Sequence, residues 1–292
     1  MKKLLYILSL TLCMGFVSCS DDNEPSSQSI FTGETVTRDA LDLWLLDNYS
    51  YPYNIDFKYK MEDIESDMKY TLVPADSAKA AKLAIIVKFL WLDAYTEVVG
   101  QDFIKTNVPR QIHLIGSPAY NSEGTMVLGT AEGGYKITLY MVNELTDEML
   151  HDYNTLNEYY FHTIHHEFTH ILHQRKPYDT SWDLISEGDF VSGDWYQYKD
   201  EYAWTHGFVT PYGMSEPQED FAEMMSVYVT ITPEEWQAKV DGAGEEGAKL
   251  EKKLEFVKSY MKDSWNLDLD ELRTVVLRRA QELKTLDLEH LK

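Results

Sequence analysis

The chain has 292 residues, 44% of them hydrophobic and 13% aromatic, and sets 26 Lys+Arg against 49 Asp+Glu for a net charge of −23. The composition is that of a globular protein, and the acidic excess argues against nucleic acid or an anionic lipid face as partner. Its two cysteines, Cys13 and Cys19, both lie near the start, so residues 37–292 can form no disulfide and must be held by their core.

Residues 1–18 read as a lipoprotein signal peptide: Lys2 and Lys3 precede an apolar run from Leu4 to Val17, too short for a membrane span and suited to a signal. Val17-Ser18-Cys19 closes it, with Cys19 as the residue expected to carry lipid. Residues 19–36 are polar and acidic without periodicity, a flexible tether. From Thr37 the spacing predicts one domain, residues 37–292. It begins with an amphipathic helix over Asp39 to Tyr49 and a strand over Tyr53 to Lys60. A long helix from Ala75 to Val99 follows, with Phe89, Leu90, Trp91 and Tyr95 as core candidates. Two strands come next, Gln111 to Ser117 and Tyr135 to Val142. The Gly-rich connection between them, residues 121–134, lacks a Gly-Lys-[Ser/Thr] ending and leads into a strand, so it is no phosphate loop. Either segment is a candidate edge for an extended peptide substrate.

His166-Glu167-Phe168-Thr169-His170 is a His-Glu-x-x-His pentapeptide, expected on a helix from about Leu156 to Gln174, ahead of Pro177. Side chains four apart on a helix lie about 5–6 Å apart at Cβ, so two imidazoles can share one ion. Glu167 then stands beside the metal as the base for its water. His162 joins the same face, but at about 1.5 Å rise per residue it is about 12 Å along the axis from His170. Only one adjacent pair can chelate, and Glu167 selects His166 with His170, because pairing 162 with 166 would put Thr163 in the base position. His162, His165 and His173 are flanking residues or stand behind the ligands as their supports. Tyr160, Ile164, Phe168, Ile171 and Leu172 should bury the helix.

Catalytic zinc takes three protein ligands and a water. No His-x-x-Gly-x-x-His extension follows His170, which removes the metzincin arrangement. The other common solution is a glutamate on a later helix. Residues 219–229 supply one, with Phe221, Met224, Met225 and Tyr228 forming a buried face and Glu219 and Glu223 one turn apart. One can bind the ion while the other accepts a hydrogen bond from a ligand imidazole. Seven residues before Glu219 is Tyr212, whose phenol can donate to an oxyanion. The stretch from Trp182 to Trp204, rich in Trp, Tyr, Asp and Gly, either shapes a substrate surface or packs the connection, and His206 is a late alternative ligand. Beyond Thr232-Pro233, helices over Ala248 to Trp265 and Asp268 to Leu283 turn Leu250, Leu254, Val257, Tyr260 and Met261 inward and their charges outward.

Tyr212-Gly213, followed after five residues by Glu219-x-Phe221-Ala222-Glu223, resembles the catalytic domain of anthrax lethal factor, a gluzincin-type peptidase. The resemblance implies Glu219 as the zinc ligand, Glu223 as partner of a ligand imidazole and Tyr212 as oxyanion stabiliser. The chain as a whole resembles the zinc metallohydrolase lipoproteins associated with TonB-dependent substrate import in Bacteroidota, a zinc-binding metallopeptidase family. Cys19, Ile115-Gly116-Ser117, Leu128-Gly129-x-Ala131-Glu132-Gly133-Gly134, the His166 motif and Glu219-Asp220-Phe221-Ala222-Glu223 carry it.

The expected fold is α+β and zincin-like, a twisted mixed sheet with the motif helix in an α/β lobe (about 37–175) and a mainly helical C-terminal lobe (about 176–292). The expected function is that of an outer-membrane, cell-surface zinc peptidase acting on a peptide or glycopeptide beside a TonB-dependent importer. Zn2+ is held by His166, His170 and Glu219, Glu167 is the base and Tyr212 the oxyanion donor. A non-catalytic binding lipoprotein and a hydrolase of glycan-linked amides are the alternatives; an intact Glu167 argues against the first.

Overall fold

The helix-rich α+β architecture combines a small mixed sheet with a larger body of helices, one of which lies against the sheet's edge strand. The computed structural model describes residues 37–62, 69–120, 126–127, 129–132 and 135–291, and residues Arg38–Lys292 cluster as one compact unit. The signal sequence, Cys19, the tether up to residue 36, and Leu128, Gly133 and Gly134 of the Gly-rich motif lie outside the described residues.

Helix α1 (Ala40–Leu45) opens with a reciprocal cap: Asp39 accepts from the Asp42 amide and Asp42 from the Asp39 amide, which satisfies two otherwise orphaned donors. The helical path continues through Tyr53 and stops at Asn54, which adopts the left-handed conformation at φ 57°. Strand β1 is therefore only Asp56–Lys58, shorter than the alternation from Tyr53 to Lys60 predicts. Helix α2 (Ser77–Val87) begins at Asp76, whose carboxylate caps the Ala78 and Lys79 amides. It runs through a π turn (Lys88–Leu92) into α3 (Asp93–Val99), and Gly100 at φ 87° lets the chain turn away into α4 (Gln101–Asn107).

The strands are β2 (Gln111–Leu114), β3 (Ala119–Tyr120), β4 (Met126–Val127), β5 (Gly129–Glu132) and β6 (Lys136–Leu139). The main sheet has the order β1-β2-β6-β5, with β1, β2 and β6 parallel and β5 antiparallel to β6; β3 and β4 form a separate antiparallel pair. This corrects the edge assignment. The segments expected to supply a free edge, β2 and β6, are both interior, and the edge beside β6 is β5, drawn from the connection read as a loop. Its short, Gly-flanked residues carry too little alternation to register as a strand until β6 pairs with them.

Helix α5 (His162–Arg175) carries the motif and follows a helical turn (Tyr153–Leu156) and a π turn (Asn157–Phe161). β5 lies against it. Ile164, Phe168, Ile171 and Leu172 are buried, and the Phe168 ring meets Trp91 at 5.5 Å, Tyr95 at 5.1 Å and Phe103 at 6.0 Å. Edge-to-face ring pairs of this kind contribute roughly 0.5–1.5 kcal/mol each beyond the area they bury, so α5 sits on a rigid aromatic bed.

Helix α6 (Pro217–Thr230) has more than the single buried face expected: every residue from Asp220 to Thr230 is buried. It packs on α5 along one side and on α8 (Gly247–Trp265) and α9 (Leu269–Glu282) along others. Helix α7 (Pro233–Gly242) begins in a Thr232–Glu235 capping box. The inward residues predicted for α8 are buried, but its charges are not all outward. Lys253 is fully buried, its Nζ 2.7 Å from Asp220 Oδ2, donating to Gly207 O at 2.7 Å and lying 3.9 Å from the centre of the Phe208 ring. Arg273 of α9 is buried too and donates through Nε to Ile231 O. Helical periodicity treats such cations as solvated; here a buried carboxylate and backbone carbonyls take the place of water. Burial pushes Asp220 up to about 6 despite Lys253, and lowers Lys253 despite Asp220, so each charge is sustained by the other.

Lys253→Met strands the Asp220 carboxyl, and the expected loss is about 3–5 kcal/mol of unfolding free energy. Denaturant titration checks it, and the double variant Asp220→Asn/Lys253→Met should recover part of the loss; a single variant as stable as the parent would contradict the pairing.

Candidate metal centre

Three lone-pair atoms converge where α5 meets the first turn of α6. His166 Nε2 lies 2.9 Å from Glu219 Oε2, His170 Nε2 3.2 Å from the same oxygen, and the two imidazole nitrogens 3.0 Å from each other. Tetrahedral ligands about 2.0–2.1 Å from zinc stand about 3.3 Å apart, so the three atoms already approximate one face of a coordination tetrahedron. The spacing of four along α5 brings the two imidazoles together edge to face, 4.7 Å between ring centres, and Pro217 at the start of α6, following Glu216 in extended backbone, brings Glu219 into the helix's first turn facing them.

The opposite ring nitrogens are engaged as well. His166 Nδ1 donates to Glu223 Oε1 at 2.7 Å, which fixes its tautomer and leaves Nε2 free to bind a cation. His170 Nδ1 lies 2.8 Å from His173 Nε2. Glu223 is saturated: Oε1 also accepts from His162 Nε2 at 2.8 Å and Oε2 from the Thr210 hydroxyl at 2.5 Å. The Thr210 oxygen in turn accepts from the Gly213 amide at 3.2 Å, so the turn carrying Tyr212 is tied to the far side of His166.

The electrostatics suit a cation. Burial disfavours a charged His166, but Glu219 and Glu223 outweigh it and push the imidazole up to about 10. Burial likewise opposes ionisation of Glu219, yet His166 and His170 hold its carboxyl well below the usual range. Glu223 stays ionised in the same way, against full burial, through His162 and His166. Glu167 moves in the opposite direction: burial raises its carboxyl above the ordinary value, with His166 and His170 opposing. Burial, reinforced by Glu219, keeps the Tyr212 phenol protonated. Its ring stands 5.6 Å from the His166 ring.

His166, His170, Glu219, Glu223, Glu167 and Tyr212 are thus brought to one site. Of the flanking histidines, His165 is buried on the opposite side against the Tyr95 hydroxyl, 2.9 Å from Nδ1; burial drops its pKa to about 3. His162, His166 and Glu223 form a second close group of possible donors, but its His166 atom is Nδ1, the nitrogen facing away from Glu219. His206 is not at the site: it is half-buried, stacked on Tyr202 at 4.0 Å, with Nδ1 on the Tyr202 carbonyl. Sequence reasoning missed Thr210 and the bond from His162 to Glu223. A threonine two residues before a candidate tyrosine carries no spacing signal, whereas His162, one turn before His166, could have been matched to Glu223 once α5 and α6 were known to face each other.

The donor set of two imidazoles and a carboxylate, each preset by a partner, is the chemistry zinc prefers. Residues 34–270 match a family described as "Putative zinc-binding metallo-peptidase". A crystal structure of a protein from Bacteroides caccae bearing the same description is 48% identical, with a TM-score of 0.77, and the match covers 90% of this chain and 100% of that one. No curated protein matches the chain. The chain belongs to this family of zinc-binding metallopeptidases.

Proposed function

We propose that the protein is a gluzincin-type zinc peptidase, held at the cell surface by lipid on Cys19 and working beside a TonB-dependent importer on peptides or glycopeptides. The convergence of His166 Nε2, His170 Nε2 and Glu219 Oε2 within 3.2 Å of one another carries the reading. Zinc bound by these three atoms supplies Lewis acidity and brings the acidity of water close to neutral pH.

The chain's own groups do the rest. Glu167 follows the first ligand on α5, and its raised carboxyl pKa suits a base that takes a proton from water and returns it to the leaving amine. Tyr212 keeps its proton and donates it as a hydrogen bond to the developing oxyanion. Glu223 and His173 orient the two imidazoles. The edge strand β5 lies beside α5 and pairs only with β6 among the described residues, which supports a zincin-like mode in which an extended substrate adds to the sheet through its main chain. The surface and import roles rest on the residue pattern around Cys19 and on the family resemblance.

Glu167→Gln should keep its zinc and lose about 10²-fold or more in kcat on a peptide library, whereas Glu219→Ala should lose more than about 100-fold in zinc affinity. Metal analysis beside cleavage assays separates the two; cleavage surviving Glu167→Gln would remove the base assignment, and full zinc occupancy in Glu219→Ala the third ligand. For Tyr212→Phe the expected result is a drop in kcat of about 10²-fold with KM little changed, and an unaltered kcat would leave the phenol without a role. Fractionation of cells expressing Cys19→Ser should find the protein released from the membrane, and retention there would refute the lipid anchor.

A further inference from the structure

From the metal ligand a file of rings runs outward to solvent. The His166 ring stands 5.6 Å from Tyr212, Tyr212 5.0 Å from Trp195, and Trp195 6.3 Å from Tyr196. Trp195 and Tyr196 belong to the 3-10 turn Ser192–Gln197, none of whose residues is buried. Tyr196 is 57% exposed and Tyr212 36%. An indole that packs a connection onto a domain sinks into the core, as Trp182 does at 1% exposure beside Phe221; Trp195 is instead only half-buried, against the proposed oxyanion donor. The turn is nevertheless fixed. The Val191 amide donates to Met214 O at 2.8 Å, Gln197 Nε2 donates to Asp194 Oδ1 at 2.9 Å, and Ser192 holds a left-handed conformation at φ 52°, a cost of roughly 1–3 kcal/mol that surrounding contacts must offset and that gathers at functional sites.

Ring orientation narrows what such a surface can hold. Trp195 meets Tyr212 at 73° and Tyr196 at 86°, so the three rings form a corner. A pyranose stacks on an open, flat ring face, whereas a corner of rings surrounds a compact apolar group and offers it edge and face contacts together. The exposed Tyr202 is already stacked between the half-buried rings of Tyr198 at 4.5 Å and His206 at 4.0 Å.

We propose that Trp195, with Tyr212 and Tyr196, walls a subsite for a large apolar or aromatic side chain of the peptide, next to the scissile bond, and that Trp195 is the residue that selects it. This rests on the peptidase reading above and extends it from the bond cut to the side chain chosen. Trp195 touches substrate and leaves the zinc alone.

The test uses the zinc-loaded full chain and peptides that differ only by Phe or Ala at the positions flanking one bond. The parent should prefer Phe about tenfold or more in kcat/KM. In Trp195→Ala the Phe peptide should fall about tenfold further than the Ala peptide, mostly through KM and with zinc content unchanged, and Trp195→Phe should restore part of the preference. Equal losses on both peptides, or a preference that survives the substitution, would overturn the proposal. Calorimetric binding of the Phe peptide to Glu167→Gln, with and without Trp195→Ala, gives an arm independent of turnover. If the parent cleaves nothing, the peptidase reading fails, and this arm still decides the subsite: binding weakened tenfold by Trp195→Ala upholds it, while unchanged binding, or an oligosaccharide bound in the peptide's place, refutes it.

Discussion

Everything at the metal centre hangs on the Glu223 carboxylate. It is fully buried in α6, and it takes hydrogen bonds from His166 and His162 of α5 and from Thr210 of the turn before α6. An ionised carboxylate in that position would be costly alone, and three donors aimed at its two oxygens make it stable. In return it sets the rotation of the His166 ring, holds α5 and α6 in register, and keeps the Tyr212 turn within reach. Ser226, one turn further along α6, adds a bond to the His162 carbonyl at 2.6 Å, so the two helices are joined on both sides of the imidazole.

The same principle governs the other buried charges. Four acidic side chains, Glu167, Glu219, Asp220 and Glu223, crowd into a small volume of a protein already carrying a net charge of −23. Their distinct environments let them serve different ends. Glu219 and Glu223 are kept ionised by imidazoles, whereas burial raises both Asp220, with Lys253 opposing, and Glu167, with His166 and His170 opposing. Environment alone drives the Glu167 and Glu219 carboxyls in opposite directions, since both are glutamates.

Much of the site was legible in sequence because its parts lie on helices, where spacing translates directly into facing. The four-residue step from His166 to His170 and the step from Glu219 to Glu223 each fix which atoms can meet, and both glutamates meet the His166 ring. Thr232 as cap and Pro233 as first residue marked one helix start in the sequence; the caps at Asp39 and Asp76 and the first residue Pro217 are features of the folded chain. What was not legible depends on contacts between segments far apart. The edge strand β5 exists through pairing with β6, its own residues being too few to alternate. Lys253 reads as a solvated charge until Asp220 is found opposite. Thr210 and Trp195 matter only because the turns that bear them fold back beside α5, and no periodicity encodes that return.

Glu219 and Asp220 are consecutive residues of one helix, so their side chains leave the axis about 100° apart. One reaches the imidazoles of α5 and the other Lys253 of α8. Glu219 is therefore braced from behind by a helix that begins well after the last residue of the candidate site. Helix α9 adds to the same brace through Arg273 on the Ile231 carbonyl and Asp270 on the Tyr228 hydroxyl. The candidate site lies within residues 162–223, yet a fragment trimmed to those residues would lose the wall against which Glu219 is held. The support of the site extends into α8 and α9, and a proteolytic nick at the glycines between α7 and α8 would act on Glu219 through a lever rather than through any contact with it.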